Sequence, residues 1–197
     1  EELYRHARDF GALDFAAAAD HACYFSDNEW QWMQDVTNAW NADGRFVSLI
    51  GYEWAGKQYH RNVYTSRDRL RLLRGLYAPE SQLNVLWNYF HPDDQVVGGP
   101  QGGLAHGIYW DHHDPDVQRF FEIYSMWGAC DTRDNPLIPE FARHNPDGLT
   151  ANDLLQRGVK IGFTGGGDCH DGRAGFSSED PGGQGKTSHT FAELLYY

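Results

Sequence analysis

Six residues able to bind a metal ion stand at, or just past, the ends of apolar, strand-like runs. They are His21 in AAAADH, Glu53 in SLIGYEW, His60 in YHRNVY, His106 in GGLAH, and Asp168 with His170 in IGFTGGGDCH. A single histidine in such a run is ordinarily a buried, hydrogen-bonded structural group. Recurrence at strand ends changes that reading, because open α/β sheets and α/β barrels gather ligands at the carboxyl ends of their strands. Side chains remote in sequence then converge on one pocket. Histidine with carboxylate is the donor set of a hydrolytic metal centre.

The elements that must position these residues alternate between strand-like and helix-like patterns. EELYRHARDFG opens as a helix with Leu3, Ala7 and Phe10 on one face, and no strand precedes it. FAAAAD reads as a short strand. In SDNEWQWMQDVTNAW a capping box from Ser26 to Glu29 starts a helix whose stripe of Trp30, Met33, Thr37 and Trp40 belongs to a core. FVSLIGYEW, NVYTS and FFEIYS read as strands, and PESQLNVLWNYF as a helix with Leu83, Leu86, Trp87 and Phe90 on one face. Thr150 caps a helix over TANDLLQRG that Gly158 ends, and VKIGFTGGGD follows as a strand. Such alternation predicts mainly parallel strands covered by helices, in an α/β barrel or a doubly wound sheet. The last segment, TSHTFAELLYY, breaks off inside an element, and with the missing leading strand it reads as part of a longer frame.

Composition narrows the function classes. A chain of 197 residues, 41% hydrophobic and 15% aromatic, buries a sizeable core and is read as a single domain over 1–197. A net charge of -12, from 28 acidic against 16 basic residues, disfavours a nucleic-acid partner. Cations bound among clustered carboxylates would offset part of it. Cys23, Cys130 and Cys169 are too scattered for a disulfide framework or a CxxC knuckle, so the compartment, cytoplasmic or periplasmic, stays open. No run approaches the roughly 20 apolar residues of a membrane span, and no signal-peptide pattern is visible. Glycines at 98–103 and 165–167 lack the spacing of phosphate-binding loops and are expected in turns and close backbone approaches. No GxSxG elbow is present, which removes covalent serine catalysis.

The order of motifs, DH, then GYEW followed by His-Arg-Asn, then a histidine after a small apolar run, then EIYS and GGDCH, resembles the polymerase and histidinol phosphatase (PHP) superfamily over nearly the whole chain. The details resemble a bacterial branch of unassigned function. The resemblance implies a distorted, TIM-like (β/α)7 barrel, here incomplete at the N-terminus and at the C-terminus. It implies two or three divalent metals, Zn, Mn or Fe, and phosphoester hydrolysis. By that resemblance Glu53 bridges two metals, His60 and His106 complete the second, Asp168 serves the first, and His21 with His170 the third. The family's opening His-x-His pair has no counterpart here, which would leave the first site incomplete. His112 and His113 match no family ligand and read as loop residues.

The implied chemistry is attack by a hydroxide held between cations, since metals lower the pKa of water from about 15.7 toward 7. The same cations stabilise charge on the phosphoryl oxygens. Asp20 and Glu122 are natural partners for orienting ligand histidines. Arg61 either clamps a substrate anion or forms a surface ion pair. The expected partner is a small anionic phosphoester, with the oligomeric state open. Hydrolysis of an amide or carboxylic ester, and a noncatalytic binding module on the same fold, are the alternatives.

Overall fold

A computed structural model of the chain describes residues 1–56, 59–75, 82–102, 110–125, 127–138, 140–146, 148–166, 168, 170 and 172–174. The chain opens with α1 (Glu2–Arg5), continued by a wider π turn over His6–Phe10, and β1 (Phe15–Ala17) follows. Tyr4 fastens this start to the body: its hydroxyl shares a hydrogen bond with Thr37 Oγ1 at 2.8 Å and accepts the Ala18 amide at 3.3 Å. Helix α2 (Asp27–Trp40) begins at the capping box anticipated between Ser26 and Glu29. Its buried stripe of Trp30, Met33 and Thr37 packs on β2 (Val47–Ala55). The Trp30 ring meets Tyr52 edge-on at 5.5 Å, and its indole N–H donates to the Leu70 carbonyl at 2.8 Å.

Strand alternation divides β2 into two faces. Ile50, Tyr52 and Trp54 are buried in the principal core, with Leu83, Leu86 and Trp87 of α3 (Leu83–Tyr89). Leu49 and Glu53 point the other way, into a cavity. β3 (His60–Thr65) and β4 (Val96–Pro100) complete a four-stranded sheet in the order β1-β2-β3-β4. β1 is parallel to β2, and β3 is antiparallel to both β2 and β4. A second sheet, in the order β6-β5-β7, contains β5 (Phe120–Ser125), β6 (Gly128–Ala129) and β7 (Gly162–Gly165), with β5 and β7 parallel. The sheets meet where the Gly98 amide donates to the Val117 carbonyl at 2.8 Å and the Gly98 carbonyl accepts the Arg119 amide at 3.0 Å. A second, smaller core of Phe121, Cys130, Ile138, Ala142, Ala151 and Leu154 lies behind β5. It includes α4 (Glu140–Arg143) and α5 (Ala151–Gln156), the latter capped by Thr150 as anticipated.

The (β/α)7 barrel inferred above is not the fold. Among the described residues the protein is mixed α/β, with two small sheets and no closed barrel. The reason lies in the connections. Four residues join Ala55 to His60, and the Gly56 amide donates to the Tyr59 carbonyl at 2.8 Å across them. Such a link makes a hairpin, whereas a parallel crossover needs a dozen residues or more. Strands β2 and β3 therefore pair as an antiparallel hairpin, and β4, although α3 precedes it, returns antiparallel to β3 rather than parallel. The glycines at 98–99 lie within β4 rather than in a turn, while the close backbone approach expected of them is present, Gly99 abutting the Phe120 ring and carbonyl.

Candidate metal centre

The end of the sheet where β2 runs out is also where β3 begins, so one short hairpin brings Glu53 and His60 together. The His60 imidazole Nδ1 is hydrogen-bonded to Glu53 Oε1. His21 arrives from the neighbouring parallel strand: the Glu53 amide donates to the Asp20 carbonyl at 3.0 Å, and His21 bridges to Glu53 in parallel register. Its Nδ1 lies 3.7 Å from Glu53 Oε1, buried and without a hydrogen-bond partner. The two histidine rings stand nearly perpendicular with centroids 5.6 Å apart. One ligand atom from each of His21, Glu53 and His60 lies within 4.8 Å of the others. Donors of one tetrahedral ion stand about 3.4 Å apart when the bonds are near 2.1 Å, so small side-chain movements suffice to close this set on a cation. An orphaned imidazole nitrogen aimed at a buried carboxylate fits such an ion well.

Asp168 and His170 reach the same cavity from beyond the end of β7, and Glu122 from β5. Burial pushes the Asp168 carboxyl up to about 6, and the charge of Glu53 pushes the same way; the Trp127 indole N–H donating to Asp168, and His170 and His60 nearby, act against it. Glu122 is raised to about 8 by burial first and by Asp168 second, although the Gly102 amide donates to it at 3.2 Å. Glu53 adds a smaller push in the same direction. The Tyr64 phenol is raised by burial and by Glu122, Glu53 and Asp168 together, and Tyr64 lines the same cavity as these acids. Asp168 itself has a left-handed backbone, with φ of 47°. Gly166 lies directly against Glu122, where a Cβ would stand 2.9 Å from Oε2.

The sequence-derived candidates separate clearly. His21, Glu53 and His60 form one cluster, so the described residues put His21 and His60 on the same carboxylate. Asp168 and His170 share their cavity, while His106 and Cys169 lie outside the described residues. Asp20 contributes its backbone carbonyl, which fixes Glu53, and its side chain is exposed. Arg61 is fully buried, donates from Nη1 to the His60 carbonyl at 2.8 Å and is absent from the cavity lining. Burial lowers its guanidinium to about 9, which still leaves it charged at neutral pH. It braces the β2–β3 hairpin and is neither a surface ion pair nor a clamp at the cavity wall. His112 is exposed, and His113 stacks on Trp110 at 3.9 Å. Trp127 and Tyr64 went unnoticed in the sequence because no spacing marks a residue that touches a ligand only through the fold.

These features define a mixed α/β protein with a histidine–carboxylate cluster at one end of its strands. Residues 7–106, half of the chain, match the family model described as protein of unknown function (DUF3604), and the chain belongs to that family. The matched interval contains His21, Glu53 and His60 and ends at His106. An uncharacterised protein from Chlamydia pneumoniae is 23% identical over 177 residues, covering 85% of this chain and 28% of its own length. The chain therefore spans little more than a quarter of that relative. No solved structure matches. No helix among the described residues is long and apolar enough to cross a membrane.

Proposed function

We propose that the protein is a metal-dependent hydrolase of phosphoesters, as the resemblance to the PHP superfamily implies, with His21, Glu53 and His60 holding a divalent cation. One observation carries the proposal. A buried carboxylate stands between two imidazoles and faces further acids, Asp168 and Glu122, across a cavity with no lysine or arginine among its described lining residues. Carboxylates gathered in this way repel one another, and a divalent cation removes the penalty. Zn, Mn and Fe all accept this donor set.

When bound, the cation supplies a Lewis acid that acidifies water and offsets charge on the phosphoryl oxygens. The chain's own residues do the rest. His60 is oriented by Glu53, and Glu53 by its backbone bond to Asp20. Asp168, held by the Trp127 N–H, would take a proton from the attacking water. His170 supports Asp168 electrostatically.

The test is to load the full chain with Mn or Zn, measure bound metal by mass spectrometry, and assay p-nitrophenyl phosphate, bis-p-nitrophenyl phosphate and p-nitrophenyl acetate. Glu53→Gln should lower metal content and reduce phosphoester turnover by about 100-fold or more. Activity confined to the acetate would point to a carboxylic-ester hydrolase. Metal content equal in wild type and Glu53→Gln would remove the metal centre, and with it this function.

A further inference from the structure

The cavity at the metal cluster has two layers. Its upper layer is the acidic and imidazole set at the strand ends. One register step below, Tyr64 on β3 lies opposite Gly51 on β2 and Val97 on β4. The Tyr64 ring covers Gly51 so closely that a Cβ there would stand 2.3 Å from it. Tyr64 also stacks on Phe120 of β5 with centroids 5.8 Å apart. Leu49 and Phe15 extend this wall along β2 and β1. Val97 is 40% and Phe15 53% exposed, so the wall is open to a ligand. The cavity measures about 1200 Å³, above the roughly 300–1000 Å³ usual for small-molecule sites.

Charge is as informative as shape. Acids line the cavity, Asp20, Glu53, Glu122 and Asp168 among them, and no described lining residue is lysine or arginine. With Arg61 buried, no described lysine or arginine in the lining receives a second anionic group of a substrate. A sugar phosphate or nucleotide usually meets an arginine fork or a lysine.

We propose that the substrate is an ester of phosphate with an apolar, uncharged alcohol, whose organic group lies on the wall formed by Tyr64, Val97, Phe120, Leu49 and Phe15. The proposal rests on the phosphoester-hydrolase function above. Water's oxygen bonds to phosphorus as the P–O bond to the alcohol breaks, and the departing oxygen takes up a proton, so the products are phosphate and the apolar alcohol. Tyr64, which lines the cavity together with the acids and whose ring stacks on Phe120, stands where the two layers join.

Binding of uncleavable phosphonates tests this without depending on turnover. The Mn-loaded full chain is titrated in a calorimeter with methylphosphonate, 1-naphthylmethylphosphonate and 3-sulfopropylphosphonate. The naphthyl compound should bind at least about tenfold more tightly than methylphosphonate, and the sulfonate no more tightly. Val97→Asn, which adds a polar group without charge, should cut the naphthyl preference to below about threefold at saturating Mn, while Val97→Leu keeps it. Equal binding of the three phosphonates, or tightest binding of the sulfonate, overturns the proposal. A naphthyl preference without turnover of any phosphoester would retain the apolar subsite and remove the hydrolase function. Turnover without the preference would do the reverse.

Discussion

Glu53 is buried, accepts from His60 and lies near the orphaned Nδ1 of His21, so its charge is balanced chiefly by what the two imidazoles can bring. Asp168 and Glu122 carry the complementary signal. Their folded values of about 6 and about 8 exceed the ordinary 3.8 and 4.5, so from about pH 4 upward the metal-free folded chain holds protons that the unfolded chain has released. Stability falls wherever the folded state binds more protons as pH rises. The contribution is therefore whole below about pH 4 and is lost as pH climbs through 6 to 8. Melting temperature in chelator should drop between about pH 5 and pH 8.5, and Glu122→Gln should flatten the slope. Added Mn should reverse it, because the cation binds the ionised carboxyls. A melting temperature in chelator that rises with pH would show that these two acids titrate normally.

At the scale of elements, local chemistry was the most legible. The Ser26–Glu29 and Thr150–Asp153 capping boxes form as written, because each rests on atoms three residues apart. The strands that carry the site were also visible, since β2 holds Ile50, Tyr52 and Trp54 on one face and Glu53 on the other. The glycines at 98–103 announced a close backbone approach, and what spacing did not reveal was that its partner is Phe120 of β5. A Cβ on Gly99 would stand 2.4 Å from the Phe120 ring and 2.4 Å from its carbonyl oxygen. A backbone atom cannot swing away, so Gly99→Ala should cost about 1–3 kcal/mol or more, read as a lower urea midpoint with an unchanged slope. Stability equal to wild type would mean that β4 and β5 can separate freely. The change would also displace Phe120 from Tyr64, so naphthyl phosphonate affinity should fall with it.

At the scale of the whole molecule the sequence revealed the gathering of ligands and misjudged the frame. Metal-capable residues at strand ends do meet, as His21, Glu53 and His60 demonstrate. That result needs only parallel β1 and β2 and a hairpin at Ala55–His60. A (β/α)7 barrel demands more, namely parallel strands with a helix after each, and the four-residue link and the antiparallel β2–β3 and β3–β4 pairings exclude it. Arg61 was misplaced for a related reason: adjacent residues on a strand face opposite ways, so a neighbour of His60 turns its back on the ligand it follows. The surplus of 28 acids over 16 bases, with several of the acids around one cavity, has a last consequence. The mouth of such a cavity should concentrate counterions ahead of any coordination, as an ion-exchange surface does. The Debye length shrinks from about 30 Å at 0.01 M to about 10 Å at 0.1 M salt, so apparent Mn affinity should weaken several-fold over that range. Repulsion of multiply charged anions should weaken over the same range. A titration of Mn at both ionic strengths with identical midpoints would mean that the acids are compensated locally and cast no field beyond the cavity.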